Sequence, residues 1–188
     1  MTAGLVNRRT FSVAAGALVT GFGGMASARA DAANTSLPQS ADGLGISNAN
    51  AAIHQEVVFK ASAQRVYHAL TNARQFDEIV LLSGAMKSMS LKPVPARIAA
   101  EPGGAFALFG GYITGRNIEL SPHVRIVQAW RAASWAPHIY SIARFELAPH
   151  SDGVKLSFDQ TGFPNEEAMS LASGWQHHYW EPLAKVVA

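Results

Sequence analysis

Between Ala96 and Gln160 the chain reverses direction at short, regular intervals. That spacing restricts it to an antiparallel meander, because parallel strands need crossovers of a dozen residues or more. Extended segments at 97–100, 105–109, 112–120, 124–131, 140–147 and 154–160 alternate with turn-forming stretches. Glu101-Pro102-Gly103-Gly104, Ser121-Pro122-His123 and Pro149-His150-Ser151-Asp152-Gly153 are the clearest of these turns. The last strand alternates cleanly: Val154, Leu156 and Phe158 face one way, and Lys155, Ser157 and Asp159 the other. Phe145 and Leu147 stand opposite Arg144 and Glu146 in the same manner. One face of the sheet is therefore wet and the other buried. On the wet face, Asp159 and Glu146 suit cross-strand ion pairs with Arg144 and Lys155.

A half-buried sheet needs a cover. The one long element left is a C-terminal helix from about Asn165 to Val187. Asn165 suits its N-cap, and Glu166 and Glu167 suit the positive end of its dipole. Met169, Ala172, Trp175 or Gln176, and Tyr179 step by three or four and form its expected apolar stripe. Pro182 is placed to kink or tighten the last turn. Upstream, residues 53–60 read as a strand, Ser62 caps a helix starting at Ala63, and Asn72 caps a second short helix ending near Ile79. Residues 82–95, with two prolines and several serines, read as a loop. The expected class is α+β: a curved antiparallel sheet wrapped around a long C-terminal helix, with two short helices after the first strand.

Residues 1–30 carry the parts of an export signal: a basic start, a soft apolar stretch from Val13 to Ala26, and the small residues Ala28 and Ala30 around a cleavage point. Arg8-Arg9-Thr10-Phe11 resembles the twin-arginine signal, although Asn7 and Ser12-Val13 depart from its usual flanks. Residues 31–52, rich in Ala, Asn, Ser and Gly, read as a flexible linker. The folded domain is then expected over 53–188, exported to a periplasmic or other extracytoplasmic setting by that signal. No integral membrane segment is expected after cleavage.

The 188-residue chain has a formal net charge of +2, but Arg8, Arg9 and Arg29 all lie in the signal. Without them the 15 basic residues fall below the 13 acidic ones, so a nucleic-acid surface has no support. The absence of cysteine excludes disulfides, thiolate metal sites and a cysteine nucleophile. The histidines are scattered, and the adjacent His177 and His178 point about 100° apart on a helix, so no metal site is expected. No P-loop, G-x-G-x-x-G stretch or G-x-S-x-G turn is present, and no cofactor or catalytic set is expected.

Five segments, in order, resemble one known family. They are the Gly104–Gly115 glycine-phenylalanine hairpin, the Glu119–Arg131 hairpin, Trp135 with Tyr140-Ser141, Phe145-Glu146-Leu147, and Gly174-Trp175 with Tyr179-Trp180-Glu181-Pro182-Leu183. Together they are similar to the activator of Hsp-90 ATPase homologue (Aha-type) family of the START-like, or SRPBCC, superfamily. The resemblance implies a helix-grip fold with a cavity between sheet and helix. It implies no universal catalytic residues.

Phe106, Tyr112, Trp130, Phe145, Phe158, Trp175 and Tyr179 are the aromatic candidates for that inner space. They either line an apolar pocket or fill it as ordinary core. Arg116 shares a strand face with Tyr112, Thr114 and Ile118, and would hold an anionic ligand head if that face is the inner one. Three functions remain open at this level. The first is an exported single-domain protein binding a small hydrophobic or amphipathic ligand without chemistry. The second is co-chaperone-like binding to an Hsp-90 relative. The third is a cyclase- or hydrolase-type enzyme using the same cavity.

Overall fold

The computed structural model describes residues 52–88, 90–92 and 94–188. The expected signal, with Arg8, Arg9, Ala28 and Ala30, and the linker up to residue 51 lie outside the described residues. Ala52, assigned to the linker, is already strand.

Strand β1 (Ala52–Phe59) is followed by helices α1 (Ala63–Thr71), α2 (Ala73–Ser83) and α3 (Ala85–Ser88). Ser62 Oγ accepts from the Arg65 N–H and Asn72 Oδ1 from the Gln75 N–H, each at 3.2 Å, which sets where α1 and α2 begin. Helix α2 runs past the expected end at Ile79, and α3 occupies part of the expected loop. Gly84, with φ +66°, separates the two as a left-handed cap.

Six strands follow: β2 (Arg97–Ile98), β3 (Ala105–Leu108), β4 (Ile113–Ser121), β5 (Arg125–Ala132), β6 (Ser141–His150) and β7 (Gly153–Thr161). All pairings are antiparallel, in the order β1-β7-β6-β5-β4-β3-β2. The expected wrap is corrected by this order. The sheet is open, with β1 and β2 at its two edges among the described residues, and is neither closed nor strongly curled. The C-terminal helix lies against one face instead of being encircled: its Trp175 and Trp180 indoles donate to Gln160 and Gln55 on neighbouring strands.

That helix is continuous in dihedral angles but changes hydrogen-bond register. A 3-10 turn (Asn165–Glu167) leads into α4 (Ala168–Gly174), a π-helical segment (Trp175–Trp180) and α5 (Glu181–Val186). Pro182 has no N–H for the carbonyl four residues back, and the Glu181 N–H bonds the Gln176 carbonyl, five back. The wider π turn brings Trp175, Tyr179 and Trp180 to one buried side. Met169 is 87% exposed and stands outside the stripe assigned to it.

On the outer face, Arg144 Nη2 meets Asp159 Oδ2 at 3.0 Å, and Lys155 Nζ meets Glu56 Oε1 at 2.8 Å. His54 Nδ1 also lies 2.8 Å from Asp159 Oδ1. Partial burial opposes the Asp159 charge, but the His54 and Arg144 hydrogen bonds outweigh it and hold this carboxyl below its usual range. A carboxyl depressed in the folded state lends stability above its unfolded value and loses it as pH falls through the folded one. Asp159→Asn is therefore expected to cost up to about 1 kcal/mol near neutrality, the scale of an exposed ion pair. The deficit should shrink as pH drops below about 4, the ordinary aspartate range. Urea midpoints of both proteins across pH measure this; a deficit that stays constant into acid would contradict it.

Candidate functional site

The helix meets the sheet through two polar ties. Trp180 Nε1 donates to Gln55 Oε1 at 2.6 Å, and Gln55 Nε2 donates to the Ala172 carbonyl at 2.9 Å. Deeper in, Trp175 Nε1 donates to Gln160 Oε1 at 2.6 Å, and Gln160 Nε2 donates to Ser141 Oγ at 2.8 Å. Ser141 in turn donates to the Trp130 carbonyl at 3.0 Å. Gln160 and Ser141 are fully buried, and this chain satisfies them. Around the ties, Trp175 packs on Phe158 with ring centroids 4.3 Å apart and stacks on Trp180 at 5.4 Å. Phe145 and Phe158, opposite each other in the β6–β7 ladder, complete this filled half of the grip.

The other half is open. A cavity of about 410 Å³ lies between the helix and the β4–β5 end of the sheet. Its sheet side is formed by Phe109, Tyr112, Ile113, Trp130, Ala132 and Trp135, and Ala85 of α3 adds to the wall. Leu171, Gly174, Trp175, His178 and Tyr179 form the helix side, with Glu167, Ser170 and Ser173 beside them.

Of the eight predicted site residues, Tyr112, Trp130, Trp175 and Tyr179 line this cavity. Phe106, Phe145 and Phe158 are buried core and do not line it. Arg116 is exposed, and its Nη1 donates to the Gly103 carbonyl at 2.9 Å. Its expected inward reach assumed an unbroken strand from Tyr112 to Ile118. In fact Tyr112 caps a 3-10 turn ahead of β4 and reaches the cavity from there, while within the strand Ile113 and Asn117 take the buried face and Arg116 the exposed one. Trp135 and His178 line the cavity without having been singled out for it. Trp135 could have been found as a large ring in an otherwise small-residue loop. His178 stands seven residues after Leu171, four after Gly174 and three after Trp175, so ordinary helical spacing already puts it on the cavity side.

Four side-chain atoms of the lining residues are buried without a hydrogen-bond partner: Trp130 Nε1, Trp135 Nε1, His178 Nδ1 and Tyr179 Oη. The contrast with the filled half is sharp, since both indoles there are paired. Burial pushes the Tyr179 phenol well above its usual range, and the nearby Trp130 N–H pulls it back only in part, from outside hydrogen-bonding geometry. Tyr179 is thus a neutral phenol. Each orphaned buried polar group costs about 1–3 kcal/mol.

The sequence model of the activator of Hsp90 ATPase homolog 1-like family matches residues 60–188. The chain belongs to this family. With its sheet–helix cavity, it is a member of the START-like superfamily to which the family belongs. Mouse activator of 90 kDa heat shock protein ATPase homolog 2 is 25% identical over 140 residues, covering 74% of this chain and 39% of that protein. The Dictyostelium discoideum homolog is 37% identical over 81 residues, covering 42% of this chain and 21% of its own length. The chain thus spans less than half the length of the family relatives it matches. An HSP90 activator from Plasmodium falciparum shares the fold, with a TM-score of 0.58 and 21% identity, over 72% of this chain and 93% of that one. A Chromobacterium violaceum protein matches with a TM-score of 0.55 and 26% identity, over 72% and 96%.

Proposed function

We propose that this family member binds a small, largely apolar or amphipathic molecule in the sheet–helix cavity and performs no chemistry on it. The observation that carries this reading is the open, aromatic-walled cavity between helix and sheet, set beside the filled half of the grip. A pocket of about 410 Å³ with aromatic walls falls in the size range of ordinary small-molecule sites. The enzyme alternative rested on Arg116 inside the cavity and loses that residue.

Gly174 offers a clean test. It lines the cavity in helical conformation, and a Cβ built on it meets nothing within 4 Å. Gly174→Leu should fill space without strain and should raise stability by up to about 1 kcal/mol through helix propensity. The uncharged fluorescent probe N-phenyl-1-naphthylamine is expected to bind the parent saturably at one site. The variant should bind it at least tenfold more weakly. Equal binding by both would overturn the assignment of the cavity.

The reading of residues 1–30 as an export signal makes an extracytoplasmic location part of this proposal. Cell fractionation with intact-mass measurement checks it, the expected product being a chain cut after Ala30 in the envelope fraction. A second reading draws on the relatives named as activators of the 90 kDa heat shock protein ATPase. It expects the purified chain to stimulate the ATPase of an Hsp90-type chaperone, and a full-length, cytosolic product would favour it.

A further inference from the structure

The cavity is amphipathic, and its charge has one sign. The start of the C-terminal helix supplies a polar lip: Glu167, Ser170 and Ser173, three residues apart, all line the cavity. Ser170 and Ser173 are exposed and Glu167 is half-buried, so this lip meets water. Ser170 Oγ lies 2.9 Å from Glu167 Oε2 and tethers the carboxylate there. The deeper walls are rings. Phe109, Trp130, Trp135, Trp175 and Tyr179 are buried, and Tyr112 is half-buried. No lysine or arginine is among the lining residues. Arg131, next to Trp130 on β5, donates to the Trp135 and Ala136 carbonyls instead. The helix start itself contributes about half a positive charge, which Glu166 and Glu167 outweigh.

We propose that the cavity takes cationic amphiphiles, with an ammonium head at the Glu167 lip and an apolar body among the rings. This rests on the binding reading above and names the class of molecule bound. Aromatic rings attract a cation through their quadrupole, and the carboxylate adds a direct counter-charge. A head held at the lip keeps part of its water, so the penalty of burying a charge is largely avoided. An anionic head in the same place would meet Glu167 and no opposite charge.

Trimethyl(phenyl)ammonium and tert-butylbenzene have the same shape and differ by one charge. Each is titrated into the full chain carrying N-phenyl-1-naphthylamine, at about pH 8, above the ordinary histidine range. The cation is expected to displace the dye at about tenfold lower concentration than the hydrocarbon, the scale of a partly desolvated cation–π contact. Glu167→Gln should cut that ratio about threefold, the worth of a water-exposed ion pair. Raising the ionic strength should erode the same share in the parent. Equal displacement by the two isosteres, or stronger displacement by the hydrocarbon, would overturn the charge selectivity while leaving the binding reading intact. A ratio unchanged in Glu167→Gln would overturn the assignment to that carboxylate. A dye that fails to bind, or that binds Gly174→Leu as well as the parent, would remove the binding reading and this inference with it.

Discussion

Trp175→Ala is expected to destabilise the domain by about 4 kcal/mol or more, within or above the range for truncating a large core aromatic. Trp175 is 2% exposed and sits at the centre of the grip. Its ring lies 4.1 Å from Tyr179, 4.3 Å from Phe158, 5.4 Å from Trp180 and 5.6 Å from Trp130. Its removal also leaves the buried Gln160 carbonyl without its donor. An orphaned acceptor of that kind adds about 1–3 kcal/mol. Trp175→Phe keeps most of the packing but loses the N–H, so it should show mainly that second cost. Since domains are stable by only about 5–15 kcal/mol, the alanine variant should unfold at far lower urea, as circular dichroism would record. A loss below about 1 kcal/mol would mean that the ring is not buried between helix and sheet, given the usual cost of large-to-small core changes.

Gly115→Ala is the second large effect. Gly115 pairs with Phe106 on β3 and with Trp130 on β5. A Cβ there would overlap the Ala129 carbonyl oxygen and the Phe106 ring. The ring could turn aside, but the carbonyl is backbone of the neighbouring strand β5 and is held by the sheet. A cost of about 3 kcal/mol or more follows, at or beyond the upper end of ordinary overpacking. Gly174→Ala is the matched control, because its Cβ enters open space on a helix and should stabilise by up to about 1 kcal/mol. Both are read from urea unfolding. A neutral Gly115→Ala would contradict the close approach of β4 to β5 and Phe106.

The strands were legible because one face of this sheet is wet, so alternation is printed in β6 and β7 residue by residue. Family and order of elements followed from them and from the aromatic segments. What could not be read depends on hydrogen-bond register. Whether β1 and β2 meet decides if the sheet closes, and side-chain alternation says nothing about that. The π register near Pro182 brings Trp180 to the buried side with Trp175 and Tyr179, where a 3.6-residue period would turn it away. Alternation alone could not say which face of β4 is the inner one, and the structure gives it to Ile113 and Asn117, with Arg116 outside. Helix α2 extends because Val80 and the preceding Ile79 are buried, a tertiary effect that overrode the weak local stop signal.

The central claim is that the open half of the grip is completed by a bound molecule. Native mass spectrometry of the protein isolated from its own cells tests it most directly. The account predicts one discrete added mass, released on unfolding and absent from Gly174→Leu. The mass of the bare chain from the same cells, identical for parent and variant, would contradict it.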